Sequence, residues 1–167
     1  MSHTVLDHPQ HGPRPGPRAT IENAVDQLTH FLSRYSITVL RVCLGATFLI
    51  FGVLKFFPGV SPAEDLSIAT IDELTFGIIS GSVALAMTAV IETFIGITLV
   101  TGRFLRVGLV VLSGALVGIM APLMLFPGDL FGDGPTLTAQ YVLKDFILAA
   151  AGMVVGAYAL GARLRTQ

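Results

Sequence analysis

The chain has 167 residues, of which 53% are hydrophobic and only 13% charged. Soluble domains carry about a quarter of their residues as charged side chains, so this composition marks a membrane protein with room for one domain. Cys43 is the only cysteine. That excludes an internal disulfide, a Cys-x-x-Cys redox pair and a thiolate set for zinc or iron–sulfur, and Cys43 is expected as a small buried side chain.

Residues 1–19 are rich in Pro, Gly and His without an apolar pattern. They read as a disordered cytoplasmic tail lacking the signal-peptide pattern, with His3, His8 and His11 solvated rather than metal-bound. Thr20 is placed to cap an interfacial amphipathic helix over 20–34, with Ile21, Val25, Leu28 and Leu32 along one side. The first span follows from Tyr35 to Phe57, about the length of one bilayer crossing. Arg41, Gly45, Phe48, Gly52 and Lys55 follow one another inside it at steps of 4, 3, 4 and 3. The two cations therefore lie about 40° apart around the helix. A cation in hydrocarbon costs about 2.5–3.5 kcal/mol on insertion scales, so this stripe must face protein or water.

Beyond Phe57, Ser61-Pro62-Ala63-Glu64 has the form of a capping box, opening a short helix to about Leu74. A second span is expected over Ile78–Val100, with Gly102 as its C-cap, and a third over Phe104–Phe126, forming an antiparallel hairpin with the second. Pro122 is placed to kink the third span. A Gly/Pro/Asp loop over Pro127–Thr138 leads to the fourth span, Ala139–Gly161. The expected architecture is all-α: a four-helix transmembrane bundle over 35–161, preceded by the amphipathic helix and followed by a tail over 162–167. Arg14, Arg18, Arg34, Arg103, Arg106, Arg163 and Arg165 fall on one side, and Glu64, Asp65, Asp72, Glu73, Asp129 and Asp133 on the other. This asymmetry predicts cytoplasmic termini.

Two constellations stand out. Glu92 lies in a span beside Gly81, Thr88 and Gly96 at helical spacing, about 8 residues from the arginine-bearing end of that span. Arg41 lies about 6 residues in from the same side, a depth difference of roughly 3 Å. An Arg41–Glu92 pair is therefore expected, either as a proton-handling site or as a fixed register contact. Towards the other side, Asp145 heads a stripe of small residues with Ala149, Gly152 and Gly156, and should point inward. With Lys55, Lys144, Gln140 and Tyr141 it would line a polar pocket; the competing reading has both lysines snorkelling to the headgroups. Gly114-x-x-x-Gly118 and Gly152-x-x-x-Gly156 read as faces that bring helices together. The spans offer no histidine pair for haem, and the chain has no phosphate loop, nucleophile elbow or metal-ligand spacing. The basic side suits anionic lipid headgroups, not nucleic acid.

The pattern Arg41…Gly45…Phe48-Leu49…Gly52…Lys55 resembles the opening motif of the DoxX family of small four-span bacterial membrane proteins. Glu92-Thr93-Phe94-Ile95-Gly96…Leu99…Gly102 is similar to the family's second-span motif. Gln140-Tyr141-Val142-Leu143-Lys144-Asp145 resembles its fourth-span signature and that of the related YkgB-type proteins. The similarity covers about Arg34 to Gly161 and is weak in the third span. It implies a bacterial inner-membrane component linked to redox chemistry, since the family is named for a subunit of a thiosulfate:quinone oxidoreductase. On this footing the expected function is an accessory or quinone-facing subunit, with Arg41 and Glu92 at a quinone oxygen and Lys55 and Asp145 shaping the entrance. A quinone, membrane lipids, a larger redox complex and a second copy of the chain are the expected partners, with no covalently or metal-held cofactor. The alternatives are a transport module for a small anion or weak acid, and a structural anchor of a membrane complex.

Overall fold

A computed structural model describes residues 17–61, 64–132 and 134–163, with side-chain surroundings from residue 21 onward. The histidines of the tail, the Thr20 side chain, Pro62, Ala63, Asp133 and residues 164–167 lie outside it. The described residues form helices and no strands: α1 (Pro17–Leu54), α2 (Glu64–Leu74), α3 (Gly81–Thr101), α4 (Leu105–Met120), α5 (Pro122–Leu125), α6 (Pro127–Phe131) and α7 (Leu137–Ala159). Four segments are long and apolar enough to cross a membrane: Ile21–Leu54, Gly81–Thr101, Leu105–Leu125 and Leu137–Ala159.

The described residues fall into two compact units, divided after Tyr35. In the first unit, Ile21, Val25, Leu28 and Leu32 are all exposed, as an apolar stripe on a membrane-associated helix would be. No break in helix separates the expected amphipathic segment from the first span, and no proline after Pro17 interrupts the backbone donors before Leu54.

In the second unit, glycine contacts set the pairing of α1 with α3. A Cβ at Gly52 would lie 2.6 Å from the Thr93 nitrogen, and one at Gly96 2.6 Å from the Leu49 Cα. Only hydrogen fits at either position. Gly45 meets Leu99 and Val100 in the same antiparallel register. α1 therefore ends opposite the middle of α3. Cys43 is exposed, contrary to the expected burial. Two residues from both Arg41 and Gly45, it sits about 200° around the helix from the buried stripe.

Gly102 ends α3 in the left-handed region at φ 71°, its N–H donating to the Thr98 carbonyl, and the short turn that follows delivers α4 alongside α3. α4 in turn packs on α7. Leu44, Phe48, Ile95, Leu99, Leu112 and Val155 form the buried core nearest that turn. Pro122 divides the third span, because its nitrogen cannot donate to the Gly118 carbonyl; the helix stops at Met120 and restarts as α5. The stretch expected as loop after Phe126 contains the short helix α6, opened by Pro127. Thr136 caps α7 by accepting from the Ala139 N–H at 3.1 Å. The expected capping box at α2 does not close: Glu64 Oε2 accepts from the Gly59 N–H at 2.7 Å, and the buried Ser61 Oγ has no partner among the described residues.

The small-residue faces divide into contacts and open positions. Gly152 meets Leu112 of α4, whereas a Cβ at Gly114, Gly118 or Gly156 would meet nothing within 4 Å. Gly114 and Gly118 thus do not draw helices together as their spacing suggests. Spacing marks a flat strip but not what lies across from it. The expected contrast is measurable: Gly52→Leu should destabilise the purified protein by about 1–3 kcal/mol. Gly114→Ala should leave the thermal midpoint unchanged or slightly raised. Equal losses in the two variants would contradict the α1–α3 contact.

Candidate functional site

Because α1 stops beside Glu92, the side chain leaving its end reaches that carboxylate. Lys55 Nζ donates to Glu92 Oε1 and Oε2, both at 2.7 Å. Lys55 is 6% exposed and Glu92 7%. This two-pronged ion pair is the only salt bridge among the described residues.

The expected Arg41–Glu92 pair is not formed. Gly52 opposes Thr93, and Arg41 lies 11 residues, or about 16 Å, further back along α1. Arg41 instead packs its guanidinium against Gly102, beyond the last turn of α3. There a cation faces the carbonyl-bearing, partially negative end of a helix, which is a favourable place for it. The depth of Arg41 cannot be counted from Tyr35, because α1 is offset along its axis relative to α3.

The Lys55–Glu92 pair borders a partly open cavity of about 420 Å³ lined by α1, α2, α3, α4 and α7, with Pro122 of α5 also on its wall. Its wall is predominantly apolar, including Phe48, Phe51, Ile91 and Leu148. Leu66, Ser67, Thr70 and Ile71 of α2 close one side, and Gly114 and Gly118 leave room on α4. Phe48 belongs to both the core and the cavity wall, so the cavity stands directly on the packed half of the bundle.

Asp145, 9% exposed, also lines this cavity. Lys144, Glu92 and Lys55 lie near enough for their charges to act on its carboxyl. Yet among the described residues the Asp145 carboxylate has neither a hydrogen bond nor a salt bridge. Lys144 is half-buried and does not simply snorkel. Its ammonium stands 4.5 Å from the Phe51 ring centre and 4.4 Å from that of Tyr141, a double cation–π contact joining α7 to α1.

The two expected constellations are therefore one. Glu92 belongs with Lys55, Lys144, Asp145 and Tyr141 around a single cavity. Arg41 and Gln140 are not among its lining residues, and Gln140 is exposed. Gln140 lies five residues from Asp145, about 140° around α7, so helical spacing alone already separates them. Phe51, one turn before Lys55, and the hydroxyl-bearing face of α2 were missed. The first carried a signal, since a residue four before an inward lysine shares its face. Among the described residues no group of His, Cys, Asp and Glu is arranged to hold a metal ion.

The pairing predicts a distinctive thermodynamic cycle. Lys55→Met alone leaves a buried carboxylate unpaired and should cost about 3–5 kcal/mol, whereas Lys55→Met with Glu92→Leu should return close to the parent stability. Arg41→Met and Glu92→Leu should add without coupling. Denaturation of the purified variants in detergent measures all of these, and coupling of Glu92 to Arg41 but not Lys55 would overturn the assignment.

The DoxX family model matches residues 36–126 of the chain. No curated protein matches it, and no solved structure matches it.

Proposed function

The chain belongs to the DoxX family and is a multi-pass membrane protein, and on that premise we propose that it is the quinone-facing subunit of a membrane oxidoreductase system. The observation that carries this reading is the cavity: about 420 Å³ of apolar space with a buried ion pair and a further buried carboxylate in its wall. Ligand pockets run to roughly 300–1,000 Å³, and combine apolar walls with a few placed polar groups. A flat ring bearing oxygens suits such a site, with Phe51, Ile91 and Leu148 against its faces. Gly114 and Gly118 favour the fit, since side chains there would fill the space.

A quinone, when bound, supplies a two-electron acceptor that also takes up protons. The chain's own part is to exclude water, hold the ring, and keep a proton and its acceptor side by side at Lys55 Nζ and the Glu92 carboxylate. General acids and bases work only within hydrogen-bond reach, and Lys55 and Glu92 already stand at 2.7 Å from each other. In this reading Lys144, Asp145 and Tyr141 bind the ligand, and Arg41 stabilises the end of α3 rather than touching it.

In the same proposal the protein sits in a bacterial inner membrane with both termini in the cytoplasm. Arg103, Arg106 and Arg163 then lie on the cytoplasmic side, with Glu64, Asp65, Asp72, Glu73 and Asp129 outside. The cavity, beside α2, would lie in the outer half of the bundle.

Two measurements test this. A short-chain ubiquinone or menaquinone analogue should bind the purified protein saturably. Glu92→Gln should weaken it by about tenfold, and Gly118→Leu should abolish it while the protein stays folded by circular dichroism. Absence of binding to the parent protein would remove the quinone reading. For orientation, in a Cys43→Ser background, a membrane-impermeant maleimide should label a cysteine at position 129 in intact spheroplasts, but one at position 163 only after permeabilisation. The reverse pattern would invert the topology.

A further inference from the structure

Within the cavity, some polar groups are already engaged and others are open. Lys55 directs its ammonium to both oxygens of Glu92. Thr47 donates to the Cys43 carbonyl at 3.0 Å, Thr70 to that of Leu66 at 2.6 Å and Thr88 to that of Leu85 at 2.8 Å, each within its own helix. The Ser67 and Tyr141 hydroxyls have no hydrogen-bond partner among the described residues, and two charged side chains remain open beside them. Asp145 is 9% exposed, faces the cavity and receives no hydrogen bond from any described residue. Lys144 faces two aromatic rings, and its N–H groups reach no hydrogen-bond acceptor among the described residues.

These two open groups make opposite demands. A carboxylate accepts and does not donate, whereas an ammonium donates and does not accept. With both lysines and both acids ionised, the four-residue cluster is neutral, so it gives no overall preference for an anion or a cation. A hydroxyl group meets both demands at once: its hydrogen goes to Asp145 and its oxygen accepts from Lys144. A carbonyl oxygen meets only that of Lys144. It would leave a buried carboxylate without a donor, and groups left unsatisfied in this way weaken binding substantially.

Resting on the reading of the cavity as a site for a quinone-type ring, we propose that it takes the reduced, dihydroxy form of its ligand in preference to the oxidised dione, with Asp145 as the group that discriminates. The preference should be about tenfold or more. Tenfold tighter binding of the reduced form raises the midpoint potential of the bound two-electron couple by about 30 mV. The site would thus favour a quinone that has already received its electrons.

The experiment is equilibrium binding of a matched pair, a short-chain quinone and its dithionite-reduced hydroquinone, to the full chain in detergent under argon at mildly alkaline pH. Asp145→Asn is measured alongside, because an amide both donates and accepts and fits the same volume. The proposal expects the hydroquinone to bind about tenfold more tightly to the parent protein, and the two forms to bind Asp145→Asn within about twofold of each other. Circular dichroism and the thermal midpoint confirm that the variant is folded; should it not fold, Asp145→Glu replaces it, and a preference for the reduced form kept there, with the carboxylate retained, is the expected result. Equal binding of both forms by the parent protein, tighter binding of the quinone, or an undiminished preference in Asp145→Asn would overturn the proposal and leave the cavity reading standing. Failure of both forms to bind would overturn the cavity reading itself.

Discussion

The close approach of α1 to α3 is the constraint from which the rest follows. Where Gly52 lies against Thr93 and Gly96 against Leu49, the backbones come nearer than any side chain allows. This fixes the axial offset of the two helices as well as their facing sides. With the offset fixed, α1 ends level with Glu92, and the residue that leaves its end is Lys55. An ion pair with both bonds at 2.7 Å results from backbone contacts, not from long-range attraction between charges. The pair in turn sets the chemistry of the cavity beside it.

The bundle divides along its length because of the same offset. In the half nearest Gly102, α1, α3, α4 and α7 pack into a core of Leu44, Phe48, Ile95, Leu99, Leu112 and Val155. In the other half α1 reaches only as far as the Lys55 turn, lining the cavity through Phe48 and Phe51. Beyond it the short helix α2 contributes wall through Leu66, Ser67, Thr70 and Ile71. A short helix fills the place of a full span incompletely. The remaining space is the cavity, held open on α4 by Gly114 and Gly118 and crossed at its side by Lys144 between Phe51 and Tyr141.

Much of this is legible in the sequence, and the limits have a physical origin. Hydropathy places four spans, and the 4-3-4-3 stripe from Arg41 to Lys55 identifies the buried face of α1, because the helical period is a property of the chain alone. The period gives angles. It gives no axial offset between two helices, and so the choice between Arg41 and Lys55 as the partner of Glu92 lay outside its reach. The decisive signal was in the glycines: Gly45 and Gly52 match Gly96 only when Glu92 lies level with the end of α1. Similarly, Gly114-x-x-x-Gly118 has the spacing of a packing motif, yet its hydrogens face empty space. Whether a strip of small residues meets a helix or borders a void depends on the neighbouring element. Here that element is α2, whose position no pattern within α4 reveals.

Two features of this bundle run against stability, and they occur in the same place. A buried ion pair exchanged for well-packed apolar side chains is commonly neutral or more stable. Open space in a protein interior forfeits dispersion contacts that larger side chains would supply. Four charged side chains and two unfilled glycines surround one cavity here. If the bundle needed only to hold itself together, leucines at these positions would do so better. A cavity with an open acceptor at Asp145 and an open donor at Lys144 makes physical sense once a ligand completes it. The ligand then supplies the missing contacts and the missing hydrogen bonds together.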